Sequence, residues 1–367
     1  MLFARLTEEV QADVFLKLPL KSIGKCRCVC KLWRNLLCSS GFVKYHLDSS
    51  MQSDNPRLMI TATMNHKQDV LYSIDYASTL SSASLSIKTI NNKSSCASSR
   101  ACECKEVVRM YYPFEYDQGG GSVHILGSCN GLICLATSNY PFGSDLGYRI
   151  CIWNPSTREY KKILSDIEFK YRYRYGFGYD QNIDDYKVVS ILEDIEKPGY
   201  FQAQVYAIKS DTWTTIQSIP YLFPFRGIQF PSVLFDGALH WLGVTTTKET
   251  NSEVIVSFDI SNDRFRDVGI PEEAMTPPIG VSSGKNLGVV RLVRDCPCLA
   301  VRISCMCYVF WVMQDYGVKE SWTKQFNIAQ ETIAKYDFWN SKPIWFLKNG
   351  RDTDEYFCRF CFIRPKE

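Results

Sequence analysis

The sequence predicts a mainly β protein with a small α-helical N-terminal domain, and three observations carry that expectation. Apolar residues recur at helical spacing only near the start of the chain, between residues 6 and 47. From about residue 57 onward the pattern changes to short strand-like runs separated by turn residues. Aromatic content is also high, with 21 Tyr, 21 Phe and 8 Trp, and pleated, half-buried faces favour such side chains. The chain of 367 residues therefore divides into a domain of residues 1–47 and a larger one of residues 48–367.

In the first segment Val10, Val14 and Leu18 stand at i, i+4 and i+8, with Leu6 one turn earlier, which gives one apolar stripe on a helix. Thr7 is the N-cap candidate, and Glu8 and Glu9 suit the positive end of the helix dipole. Pro19 ends this helix, because the residue before proline disfavours the α region. Ser22 caps a second short helix through Arg27, and a third runs from about Cys30 to Ser39 with Trp33, Leu36 and Leu37 on one side. Three helices in so short a segment bury little surface, so the unit is expected to need a partner. Eight basic side chains (Arg5, Lys17, Lys21, Lys25, Arg27, Lys31, Arg34 and Lys44) face three acidic ones (Glu8, Glu9 and Asp13) in a chain whose net charge is only +3. Basic charge beside an apolar stripe points to an acidic protein partner, although a solvated helix face is the competing reading.

A repeat organises the second domain. The copies are Ile152 to Tyr160, Val205 to Trp213, Ser257 to Phe265, and Phe310 to Trp322. Each runs along a strand into a polar turn and closes on an aromatic (Tyr160, Trp213, Phe265, Trp322), at intervals of roughly 50 residues. Turns at Asn130-Gly131, Asp184-Asp185 and Asp236-Gly237 repeat with the same period. An all-strand period of this length predicts a kelch-like β-propeller, in which sheets stack to cover each other's apolar faces and the aromatics pack between neighbours. A β-sandwich of similar strand count is the competing reading. Residues 57–115 read as one further blade, interrupted by a Ser-rich loop at 78–99 that holds nine serines.

Other function classes find little support. With 42 basic and 39 acidic residues, the charge is too balanced for a nucleic-acid binder. The start of the chain has no apolar export core, and the run from Ile303 to Met313 is too short for a spanning helix, which needs about 20 residues. No membrane is expected, and the cytoplasm and/or nucleus is the expected location. Of the 16 cysteines, only Cys358-x-x-Cys361 has zinc-knuckle spacing, and no second pair accompanies it, so the thiols read as small apolar residues. His240 precedes Trp241 in an apolar strand and reads as structural. Gly176-Phe177-Gly178 lacks the third glycine and the following helix of a phosphate cradle, and Gly119-Gly120-Gly121 lacks the Lys that would follow one. Asp184, Asp185 and Asp194 read as turn residues that accept backbone bonds. No catalytic set, no metal site and no cofactor are expected.

The first segment resembles an F-box. The residues that carry this are Leu6, Glu9-Val10, Val14-Phe15-Leu16, Leu18-Pro19, Lys21-Ser22, Cys26-Arg27, Val29-Cys30-Lys31, Trp33-Arg34 and Leu36. Thr7 departs from the family, which usually has proline after the leading leucine. The resemblance implies docking to a Skp-family adaptor and, through it, to a cullin-based ubiquitin ligase. The implied adaptor face is Leu6, Val10, Val14, Leu16, Leu18, Pro19, Val29, Cys30 and Trp33.

The second domain is similar to the F-box-associated interaction domain, sometimes called kelch-like, of plant F-box proteins. Gly127 to Cys134, Trp153 to Arg158, Tyr175 to Asp180, Asp185 to Val189, Gly237 to Trp241 and Ser257 to Asp259 carry that likeness. Past Pro343 to Gly350 the chain departs from the pattern and runs Glu355 to Cys361, which predicts a short last blade. The function implied is that of a non-catalytic substrate-recognition subunit of an SCF (Skp–cullin–F-box) ubiquitin ligase. The β domain would hold the target protein, with Tyr221, Phe223, Phe225 and Arg226 as candidate contacts. A non-degradative interaction protein and a glycan-binding protein are the alternatives.

Overall fold

The structure is a computed structural model, and it describes residues 6–18, 20–52, 57–64, 68–75, 107–112, 122–138, 149–163, 171–194, 196–216, 219–223, 232–246, 252–275, 286–291, 297–303, 307–329, 342–348 and 356–361. The chain forms two compact units; the N-terminal helices belong to one and the strands from residue 171 onward to the other.

Four helices open the chain: α1 (Glu8–Leu16), α2 (Leu20–Cys26), α3 (Lys31–Leu37) and α4 (Ser40–Gln52). Thr7 is the N-cap of α1, although its hydroxyl makes no cap bond. The sequence predicts three helices and a boundary at residue 47, whereas α4 runs through that boundary to Gln52. Ser39 starts α4 by accepting the Phe42 N–H at 3.2 Å while its hydroxyl donates to the Leu36 carbonyl at 2.7 Å. One serine thus ends α3 and begins α4, a double use that hydrophobic spacing cannot reveal.

The strands are β1 (Arg57–Met64), β2 (Gln68–Asp75), β3 (Val107–Met110), β4 (Ser122–Cys129), β5 (Leu132–Ser138), β6 (Arg149–Trp153) and β7 (Tyr160–Ile163). They continue as β8 (Tyr171–Asp180), β9 (Asp185–Asp194), β10 (Phe201–Ala207), β11 (Thr212–Ile216), β12 (Tyr221–Leu222), β13 (Val233–Phe235), β14 (Ala238–Thr245), β15 (Ser252–Asp259) and β16 (Arg264–Gly269). The last are β17 (Asn286–Arg291), β18 (Pro297–Ile303), β19 (Cys307–Met313), β20 (Trp322–Ala329), β21 (Lys342–Lys348) and β22 (Tyr356–Cys361).

The sheets are β1-β2-β3, β4-β5-β6-β7, β8-β9-β10-β11, β12-β14-β15-β16 with β13 also pairing β14, β17-β18-β19-β20, and β21-β22. In the larger unit the leading strands approach one another: β4 lies against β8, β8 against β13 and β14, those two against β17, and β17 against β21. This succession of small antiparallel sheets is propeller-like and differs from the two stacked sheets of a sandwich. The C-terminal sheet has two strands among the described residues, β21 and β22.

Burial follows the pleat. In β9, Val188 and Leu192 join a core with Leu126, Cys134, Ile150 and Ile152 of the preceding sheet, whereas Val189 and Ile191 join a core with Leu239, Trp241, Val254 and Val256 of the following one. In β15, Ile255 turns to a third core, with Trp311, Met313 and Trp322. β9 and β15 are therefore buried on both faces, so they read as apolar runs. Trp213, Phe265 and Trp322 pack in these cores, and the Trp322 indole N–H donates to the Gly269 carbonyl at 2.9 Å. Tyr160 does not; its ring is exposed because it sits at the outer start of β7.

The recurring turns have a local cause. Asn130, Asp184, Asp211, Asp236 and Asp263 all adopt left-handed φ between 45° and 56°. Asn and Asp tolerate that region better than other residues with a Cβ. The residues at 130–131 and 236–237 then continue with a glycine at positive φ, the hairpin turn that matches strand twist.

Candidate functional site

In the helical unit Gln11 and Phe15 point inward from α1, and Phe15 forms the core with Ile23, Leu37 and Phe42. Trp33 meets Phe15 edge-on at 5.1 Å between ring centroids. Leu16, Leu18, Leu36 and Trp33 pack around this core half-buried. The expected stripe therefore divides. Leu18 lies beyond the last helical residue and packs against the core, whereas Leu6, Val10 and Val14 remain 38–44% exposed. Val10 and Val14, four apart, lie on one side of α1, and Leu6 precedes the extended N-cap Thr7.

Between α2 and α3, Val29 is 64% exposed, and Cys30 is exposed beside it. Leu32 is exposed as well, and it is a residue that sequence reasoning omits. The signal for it was available: Trp33 and Leu37, four apart, take the inward side of α3 and leave Leu32 off it. Pro19 lies outside the described residues. The candidate adaptor residues thus fall into two groups. One is an exposed apolar set (Leu6, Val10, Val14, Val29), with Cys30 beside it; the other (Leu16, Leu18, Trp33) also supports the fold.

The candidate contacts on the β domain fare differently. The sequence places Tyr221 and Phe223 in an aromatic-rich loop open to a ligand, but they are only 6% and 2% exposed. Tyr221 begins β12, where its hydroxyl donates to Asp267 Oδ1 at 3.1 Å; burial, then the Asp267 charge, pushes its pKa up to about 12. Phe223 packs edge-on against Phe201 at 5.4 Å, and its carbonyl accepts Arg174 Nη2 at 2.9 Å. The Arg174 guanidinium also lies over the Phe223 ring at 5.3 Å, and burial lowers its pKa to about 10. Both rings are core residues, because β12 pairs with β14 and turns them into the space between sheets. Phe225 and Arg226 lie outside the described residues.

Other polar residues singled out from the sequence are engaged in structure. His240 is buried; its Nδ1 lies 3.1 Å from the Val233 carbonyl and its Nε2 2.6 Å from the Tyr316 hydroxyl. Since a carbonyl only accepts, Nδ1 carries the proton and Nε2 accepts from Tyr316. Burial lowers the His240 pKa. Asp185 accepts the backbone N–H of Tyr186 and of Lys209, and Asp194 accepts that of Glu196. Gly176 needs to be glycine for packing: a Cβ there would lie 2.6 Å from Leu239 Cδ1 and 2.9 Å from Trp241 Cζ2.

Comparison with known proteins covers both units. The F-box domain family matches residues 3–45, and the family described as F-box associated beta propeller domain matches residues 62–361. F-box/kelch-repeat protein At3g23880 of Arabidopsis thaliana is 26% identical over 359 residues, covering 92% of this chain and 81% of the relative. F-box protein CPR1 and F-box protein At3g07870, from the same plant, are each 26% identical and cover 95% of this chain and 78% of their own length.

Proposed function

The chain belongs to the F-box proteins that carry an F-box-associated β-propeller domain, and from that membership we propose that it is a substrate-recognition subunit of an SCF-type ubiquitin ligase. The F-box docks a Skp-family adaptor and through it a cullin, and the β domain holds a protein to be ubiquitinated, in the cytoplasm and/or nucleus. The observation that carries the docking half is the exposed apolar set Leu6, Val10, Val14 and Val29 on a small basic module. Apolar side chains left in water beside a well-formed core favour a partner that covers them, and the basic charge favours an acidic one.

The test is co-purification of the full-length chain with a Skp-family adaptor, repeated with Val10→Asp and Val14→Asp. These positions are exposed, so a carboxylate there leaves the fold intact while opposing burial of the stripe. Leu18→Asp or Trp33→Ala would disturb the core as well, since both side chains pack on it. Each aspartate variant is expected to reduce adaptor affinity at least about tenfold, the scale of removing one buried interface anchor. Recovery equal to wild type for both variants would refute docking through this face.

A further inference from the structure

Gln11 is an uncommon residue for its position. It is 1% exposed and lies one turn before Phe15 on the inward side of α1, in a module whose core is otherwise apolar. Its Nε2 donates to the Leu6 carbonyl at 2.8 Å, while its Oε1 is buried and accepts from no described residue. A buried amide that is only half satisfied does little for stability. What it does is local. It reaches back past the start of α1 and holds the segment that carries Leu6, the first residue of the exposed apolar stripe.

Among the described residues, few hydrogen bonds hold that segment. Thr7 makes no side-chain cap bond, so among the described residues the helix start relies on the backbone bond from Gln11 N to the Thr7 carbonyl at 3.0 Å and on the Gln11 amide. We propose that Gln11 is a positioning residue for adaptor docking: its side chain holds the segment that carries Leu6 just ahead of Val10 and Val14, so that the exposed apolar set is preformed before the partner arrives. This rests on the docking function proposed above. The benefit is the ordering cost removed from binding.

The test uses the full-length chain and a purified Arabidopsis Skp-family adaptor, with dissociation constants measured for wild type, Gln11→Leu, and Gln11→Leu combined with Thr7→Pro. Leucine is close to glutamine in volume and removes the unsatisfied carbonyl, so the melting temperature should hold or rise. Thr7 has φ −60° and ψ 155°, a conformation a proline ring imposes by itself, so the second change restrains the same segment by another route. Gln11→Leu is expected to weaken adaptor binding roughly fivefold, the equivalent of one net hydrogen bond. Adding Thr7→Pro is expected to return binding to within about twofold of wild type, on the same scale.

A purely structural role would not give that recovery. Unchanged binding by Gln11→Leu, or weakened binding that proline does not restore, would overturn the proposal. Failure of the wild-type chain to bind would instead overturn the docking function. Amide exchange at Ala12 and Asp13 in the free chain then tests the tie by itself: faster exchange in Gln11→Leu supports it, and unchanged exchange overturns it.

Discussion

Lys187 has a largely buried side chain, and three oxygens receive its ammonium group. Asp180 Oδ2 lies at 2.9 Å, Asp263 Oδ1 at 2.8 Å and the Ile260 carbonyl at 2.9 Å, so β9 is tied to the turn between β15 and β16 of the next sheet. Burial disfavours the lysine charge, but the bonds to Asp263 and Asp180 and their charges together outweigh it and raise the pKa; burial likewise opposes the Asp180 charge, and the Lys187 bond and charge together with bonds from Asn182 and Ser261 outweigh that and lower its pKa. Lys187→Met would leave the Asp180 carboxylate buried without its cation. The expected cost is about 3 kcal/mol in urea unfolding, toward the low end for a buried pair because Asp263 is partly exposed. The sign with pH follows from the two directions. The Asp180 contribution is complete above its ordinary value of 3.8 and fades as pH falls through the lowered native value. The Lys187 contribution is complete below 10.5 and fades as pH rises through the raised one. Asp180→Asn should therefore flatten the acid limb of the stability profile.

His240 adds a second limb by a different route. Its native pKa lies below 6.5, so under that pH the unfolded chain takes up a proton that the native chain resists, and stability falls as pH is lowered. His240→Gln should remove that slope below pH 6.5. A slope that survives the substitution would assign the effect elsewhere.

At the scale of elements, spacing and position give different information. The spacing of Leu6, Val10 and Val14 identifies α1, but not which side of it faces the core; Gln11 and Phe15 take that side. The strands were legible because β9 and β15 are buried on both faces and the turns between them need Asn, Asp or Gly. Tyr221 and Phe223 were misplaced because a two-residue strand such as β12 has no periodicity to read. Only its pairing with β14 shows which way its rings turn. Gly176 marks a close approach of β8 to the next sheet. Gly176→Ala is expected to cost about 1–3 kcal/mol by overpacking, read as a lowered melting temperature. Gly131, at φ 79° with nothing within 4 Å of an added Cβ, tests backbone strain without crowding. Alanine there should cost about 1 kcal/mol.

For the whole molecule, the proposed docking and target binding fall on separate parts of the chain. A version lacking residues 1–52 is the appropriate truncation, since α4 ends at Gln52 and a cut at 47 would leave more than one turn of helix without its start. Expressed in cells, that version should bind the same target as the full chain and raise its abundance, whereas the full chain lowers it. Equal abundance in both cases would point to binding without degradation.

The sequence alone determined that this chain is a short helical module followed by repeated β sheets, because both features are periodic and period is a local property of the chain. It also held the residues of the F-box motif, in order and with their spacing. The tertiary structure decided which of those residues are available. It left Leu6, Val10, Val14 and Val29 in water, drew Leu18 and Trp33 toward the core, and buried Tyr221 and Phe223 between sheets. Exposure depends on which distant segments pack against a residue, and that is set by the sum of long-range contacts rather than by its neighbours along the chain.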